Sequence, residues 1–210
     1  MRLSKKALDH LDGARIDKPQ AQVFGLPEKV IQFGTGVLLR GLCDYFINKA
    51  NGKQIFNGRI VVVKSTGAGD ADAFATQDNL YTICSRGTDN GRTVGENVIC
   101  ASISRVLSAK SQWESVLALA EIPSIEIIIS NTTEVGLQFV EESIHQDPPS
   151  SYPAKLLALL YRRFQYFKGE TAHGFIVVPT ELITENGNRL KEIVEKLAAF
   201  NSLENSFFEW

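Results

Sequence analysis

The residues best placed to do chemistry stand in three polar clusters, each directly after an apolar run. Gly34-Thr35-Gly36 follows Val30-Ile31-Gln32-Phe33, Asn131-Thr132-Thr133-Glu134 follows Ile125 to Ser130, and Glu181 to Gly187 follows Phe175 to Pro179. An apolar run, a glycine pair and then a helix-period stretch is the arrangement that lets backbone N–H groups approach a pyrophosphate. The first cluster therefore points to a dinucleotide, with Val37, Leu38, Leu39, Arg40 and Gly41 opening the helix behind the turn. A glycine pair also serves a purely steric strand-to-helix turn, and that reading stays open. The third position of the usual fingerprint asks for a small residue, and here it is Leu39.

The other clusters lie where open α/β sheets place ligands, beyond the carboxyl ends of strands. Thr132 or Thr133 could bond a nicotinamide ribose or carboxamide, or cap a helix. Glu181 and Asn186 are polar groups at a strand end, although Asn186-Gly187 also reads as a simple turn. An acid that would hold a ribose 2′-hydroxyl is missing from its usual place, where Lys64, Ser65 and Thr66 stand instead. Asp70 and Asp72 could curl back to that place or be solvated loop acids. Lys64 and Ser65 could equally receive a 2′-phosphate, so NADP stays open. Hydride transfer to a carbonyl also needs a proton donor. His10, His145 and His173 fall near none of the clusters, and Lys155 reads as a surface residue of a first helical turn.

The elements that must position these groups alternate. Strands are expected at 30–33, 59–65, 125–130 and 175–179, the second being the continuous apolar run typical of a buried parallel strand. Helices are expected at 37–50, 111–121 (with Ser111 and Glu114 as a capping box), from Glu134 to about His145, at 153–167 behind Pro153, and at 188–199. Leu80–Arg86 and Val98–Val106, around Asp89-Asn90-Gly91, read as a hairpin that interrupts the rhythm. The fold class is α/β, Rossmann-like, with a mostly parallel sheet, helices on both faces and an inserted β-hairpin. Residues 1–28 read as an N-terminal arm and 29–210 as the dinucleotide-binding domain.

Composition narrows the function classes. A net charge of -2 over 210 residues, with no basic run, leaves no footprint for nucleic acid. No window approaches a membrane span, and the amino terminus has no secretory apolar stretch, so a cytoplasmic protein is expected. Cys43, Cys84 and Cys100 lack metal-ligand spacing and read as buried free thiols in a reducing compartment. No metal is expected.

The stretch Val30-Ile-Gln-Phe-Gly-Thr-Gly-Val-Leu-Leu-Arg-Gly41 resembles the start of the tagaturonate reductases (altronate oxidoreductases), a branch of the mannitol dehydrogenase family of long-chain polyol dehydrogenases. Val61–Thr66, Asp72–Asp78 with Leu80-Tyr-Thr82, Ile129–Gly136, Pro153–Leu157, Val178–Ile183 and Asn186-Gly187 carry the resemblance along nearly the whole chain past residue 28. It implies an NAD-dependent enzyme interconverting D-tagaturonate and D-altronate in galacturonate breakdown, with Val30 to Gly41 as the nucleotide-binding segment. Arg40 matches the family's Phe-Leu-Arg-Ala pattern, written here Leu38-Leu39-Arg40-Gly41, and Val37 stands where many relatives carry Asn. Pro179-Thr180-Glu181-Leu182 is similar to the uronate branch, whereas mannitol dehydrogenases tend to have Cys-Asp-Asn there. The candidate cofactor contacts are thus Val30 to Gly41, Ser65, Asn131, Thr132 and Thr133, and the candidate sugar-acid contacts are Glu181 and Asn186. The resemblance places the family's proton-transfer Lys in a helical C-terminal domain and implies a chain about twice as long, with that domain as the partner. No position here matches that motif, so no catalytic residue is assigned. A mannitol or fructuronate dehydrogenase relative and a non-catalytic nucleotide-binding module are the alternatives.

Overall fold

The computed structural model describes residues 2–65, 74–133 and 136–210. Thr66, Asp70, Asp72 and Glu134 lie outside the described residues. Five parallel strands form one sheet in the order β5-β2-β1-β6-β7. They are β1 (Glu28–Phe33), β2 (Arg59–Lys64), β5 (Ile103–Ser108), β6 (Ile127–Ser130) and β7 (Ile176–Pro179). A separate antiparallel pair, β3 (Tyr81–Asp89) and β4 (Arg92–Cys100), is the expected hairpin. Asn90 and Gly91 both adopt positive φ at its tip, as a two-residue hairpin turn requires.

The strand pleat sends alternate residues to opposite cores. Ile31, Phe33, Val61 and Val63 join one core with α3 (Trp113–Leu117), α4 (Tyr152–Tyr166), α5 (Asn186–Phe200) and α6 (Asn205–Glu209). Val30, Ile60, Val62 and Ile129 join the other, which includes Leu39, Cys43 and Ile47 of α1 (Val37–Gly41) and α2 (Cys43–Gly52). Each fully buried aliphatic side chain contributes about 1.5–3 kcal/mol, which holds β2 in its two-sided central place. Ser151 caps α4, its Oγ accepting from the Ala154 amide. Leu8 and Val23 from two short 3-10 turns pack on Leu80, Ile99 and Ala101, so residues before β1 wrap the base of the hairpin.

Several expectations need correction. The first helix divides at Leu42 (φ -117°, ψ -78°) into α1 and α2. The alternating run 98–106 is two elements: β4 ends at Cys100, and β5 begins at Ile103 as a parallel strand of the main sheet. The Asn48 carbonyl of the side-chain amide accepts from the Ala101 amide, fixing the break between them. Ser111 and Glu114 form no capping box: Gln112 precedes α3 and its Oε1 accepts from the Ser108 amide. The helix expected up to His145 is absent between residues 137 and 151. There Asn201 accepts from the Ile144 amide and donates to the Glu142 carbonyl, contacts that pull the backbone out of a helical path. Cys84 is exposed and Cys43 half-buried, leaving Cys100 as the buried thiol. Lys155 is buried, with Nζ donating to the Ser150 carbonyl at 2.6 Å, and burial pulls its pKa down.

No described helix is long and apolar enough to cross a membrane. Among the described residues no group of His, Cys, Asp and Glu could hold a metal ion.

Candidate functional site

The strand order reverses direction between β1 and β6, and a cleft of about 330 Å³ opens at their carboxyl ends. Phe33, Gly34, Thr35, Lys64, Ser65, Asn131, Thr132, Thr133, Gly136 and Tyr152 line it. The cleft therefore gathers the first two polar clusters of the sequence and the end of β2.

Gly34 makes the turn possible. Its φ of +120° suits glycine, and a Cβ there would meet Leu39 Cδ1 at 3.1 Å and the Asn131 carbonyl at 3.3 Å. Its amide donates to the Val63 carbonyl, tying the turn to β2. The Thr35 and Gly36 amides find no acceptor among the described residues, and a Cβ at Gly36 would meet open space. Leu39 explains its own departure from the fingerprint. It is fully buried against Val30, Ile60 and Val62 of the sheet, and the helix carrying it ends after one turn at Gly41.

The far wall is held from β7. Asn131 Nδ2 donates to the Thr180 carbonyl at 2.7 Å, and the Thr132 amide donates to Glu181 Oε1 at 2.9 Å. Asn186 Nδ2 donates to the Pro179 and Glu181 carbonyls. Thr180 Oγ1 donates to the Ser130 carbonyl. Beneath this wall Ser130 Oγ, Tyr152 Oη and Glu181 Oε2 are buried with no partner among the described residues. Burial and the nearby Glu181 carboxylate push the Tyr152 hydroxyl up, with Ser130 opposing.

The remaining candidates lie elsewhere. Val30 and Ile31 are core residues, while Val37, Leu38 and Gly41 are exposed on α1. Gln32 is buried, with Nε2 donating to the Gly34 carbonyl at 3.3 Å. Arg40 turns toward the hairpin, its guanidinium over the Tyr81 ring. Glu181 and Asn186 support the wall without lining the cleft. Sequence reasoning missed Tyr152 and Asp44. Tyr152 had one signal, its place at the amino end of a helix after Ser150-Ser151, and Asp44 had none beyond an acid on an apolar helix face.

A family profile described as the mannitol dehydrogenase Rossmann domain matches residues 28–210. The chain belongs to the mannitol dehydrogenase family. Among its family relatives, the altronate oxidoreductase of Halalkalibacterium halodurans is 39% identical over 187 residues, covering 88% of this chain and 36% of that protein. That of Bacillus subtilis is 40% identical over 185 residues (88% and 38%), and that of Bacteroides thetaiotaomicron 39% over 196 (93% and 41%). The chain thus spans about two-fifths of the length of these curated relatives. Among solved structures, Pseudomonas fluorescens mannitol 2-dehydrogenase, in a ternary complex with NAD and D-mannitol, superposes with a TM-score of 0.84 at 19% identity, over 100% of this chain and 44% of that one. A substrate-free D-sorbitol dehydrogenase gives 0.82 at 21% identity, over 100% and 45%. These two establish the shared mannitol dehydrogenase Rossmann fold.

Proposed function

We propose that this chain is the NAD-binding part of an oxidoreductase that moves a hydride between NAD(H) and a sugar acid of the D-altronate/D-tagaturonate type, in hexuronate breakdown in the cytoplasm. The observation that carries the reading is the cleft at the β1–β6 reversal, with Gly34 at positive φ on one side and the Asn131–Thr133 wall on the other. A dinucleotide fits these residues. Gly34 keeps the backbone close, and Thr35 and Gly36 offer amides with no acceptor among the described residues. These amides would hold the pyrophosphate, Ser65 would face the adenosine ribose, and Thr132 or Thr133 would bond the nicotinamide end. Bound NAD supplies the hydride acceptor.

Glu181 and Asn186 act in this reading by fixing the wall, Glu181 through Oε1 on the Thr132 amide and Asn186 through Nδ2 on the Pro179 and Glu181 carbonyls. The proton-transfer group and most sugar-acid contacts belong to a further domain, in keeping with the greater length of the relatives. The sugar-acid assignment rests on the altronate oxidoreductases, which are about twice as similar in sequence as the polyol dehydrogenase structures.

Two measurements test it. Titration calorimetry should detect NAD(H) binding to the chain, and its absence would remove the cofactor assignment. NADH oxidation by the complete gene product should be fastest with tagaturonate; a clear preference for fructose or fructuronate would overturn the substrate.

A further inference from the structure

The carboxyl end of β2 carries a cation where a dinucleotide site normally sets an acid. Lys64 is the last residue of β2 and lines the cleft at the β1–β6 reversal. Strand pleating puts its side chain on the same face as Ile60 and Val62, in the core that also holds Leu39 of α1. It stands one residue beyond the Phe33–Val63 pair and so beside Gly34, whose amide donates to the Val63 carbonyl at 3.2 Å. Its other neighbour across the sheet is Ser108 of β5, and its own carbonyl accepts from the Ala109 amide.

Lys64 is only 8% exposed, yet its Nζ has no hydrogen bond or ion pair among the described residues. It is also the one charged side chain among the described residues that line the cleft. Glu181 belongs to the far wall, with Oε1 on the Thr132 amide, and Asp78 accepts from the Lys5 amide. Asp70 and Asp72 lie outside the described residues.

A lysine can bury its methylene stem in an apolar core while its ammonium reaches a polar space. Holding that ammonium away from bulk water without a counter-charge costs free energy, and an anion at its tip offsets the cost. The ammonium has three donors and no acceptor, so it cannot accept from a ribose 2′-hydroxyl as an acid would. It can donate to a phosphate, and the exposed Ser65 next to it offers a hydroxyl as a further donor. In the proposed site the pyrophosphate already has the Thr35 and Gly36 amides, and Ser65 faces the adenosine ribose. The anion left for Lys64 is one carried by that ribose.

We infer that Lys64 is the seat of an adenosine 2′-phosphate, so that the cleft accepts NADP as well as NAD. The inference rests on the proposed dinucleotide site and names the residue that sets its choice of coenzyme.

The test is titration calorimetry of the full chain with NAD and with NADP. Wild type should bind NADP at least as tightly as NAD. Lys64→Met keeps an apolar stem and removes the charge. It should weaken NADP about tenfold or more, the worth of a charge-assisted hydrogen bond, and leave NAD within about twofold. Lys64→Arg keeps a cation and should keep NADP binding. A second reading needs no variant: 2′,5′-ADP should bind wild type about tenfold tighter than 5′-AMP, from which it differs only by the 2′-phosphate. Equal affinities for these two probes overturn the inference, as do equal losses of both coenzymes in Lys64→Met, which would put the ammonium on the shared pyrophosphate. NAD binding without NADP binding removes this inference and leaves the proposed site standing. Failure of both coenzymes to bind removes the two together.

Discussion

Two polar clusters flank the glycine turn, and they differ in what surrounds their spare bonding capacity. On the hairpin side Gln32, Arg40 and Asp44 each keep a buried polar atom that has no partner among the described residues. On the α4 side Ser130, Tyr152 and Glu181 do the same, but Tyr152 lines the cleft itself. Asp44, the buried acid on the hairpin side, accepts from the Tyr81 hydroxyl and lies near the Arg40 guanidinium, whereas Glu181 accepts from the Thr132 amide of the cleft wall. Burial raises the Asp44 pKa to about 7, whereas the Glu181 side chain closes a hydrogen bond of the cleft's frame. The comparison therefore assigns a titrating acid to the first cluster and rigidity to the second.

Four substitutions can break or sharpen that contrast. The largest effect is expected at Asp44, whose pKa is raised to about 7 by burial. The folded state holds this proton more tightly than the unfolded chain does. The contribution to stability is therefore complete below the ordinary carboxylate range and is lost as pH rises through 7. Asp44→Asn should be the more stable protein above pH 7, by up to about 4 kcal/mol, with the advantage gone in acid. Urea unfolding at two pH values checks this, and a difference that does not depend on pH would break that assignment. Gly34→Ala comes next, at roughly 2–3 kcal/mol of stability with loss of NAD binding, because a side chain at φ +120° is strained and meets Leu39 and the Asn131 carbonyl. Thermal unfolding together with calorimetry measures both losses.

Glu181→Gln keeps an acceptor for the Thr132 amide but removes its charge, and should cost about 1 kcal/mol at neutral pH. NAD affinity should fall with it, and a variant that unfolds like wild type would argue against the rigid wall. Tyr152→Phe removes a hydroxyl that has no partner among the described residues and should change stability by less than about 1 kcal/mol. A large loss there would mean that the Tyr152 and Ser130 hydroxyls do bond, and the two clusters would be more alike than they look.

The sequence made the sheet legible because parallel strands buried on both faces are continuous apolar runs. Arg59–Lys64 and Ile127–Ser130 needed no partner to be recognised, and Pro153 after Ser151 marked α4 equally well. The elements that were misread depend on distant contacts. Asn48 separates β4 from β5 across the fold, and Asn201 unwinds the segment before α4 from nearly sixty residues away. The cleft was half legible for the same reason. Gly34, Thr35, Ser65 and Asn131 to Thr133 follow strands and could be found by position. The clusters behind them join Gln32 to Asp44 and Tyr81, and Ser130 to Tyr152 and Glu181, and only folding brings those together.

Leu39 has a bearing on how this turn could ever change. Its side chain fills the space that a Cβ at position 34 would need, and it is buried in the core shared with Val30 and Ile60. Replacing it with the third glycine of the usual fingerprint would leave a hole under the turn before any helix had moved in to close it. Restoring a side chain at position 34 meets the opposite obstacle. The two positions are locked together, so that a change at either one alone leaves a hole or a clash.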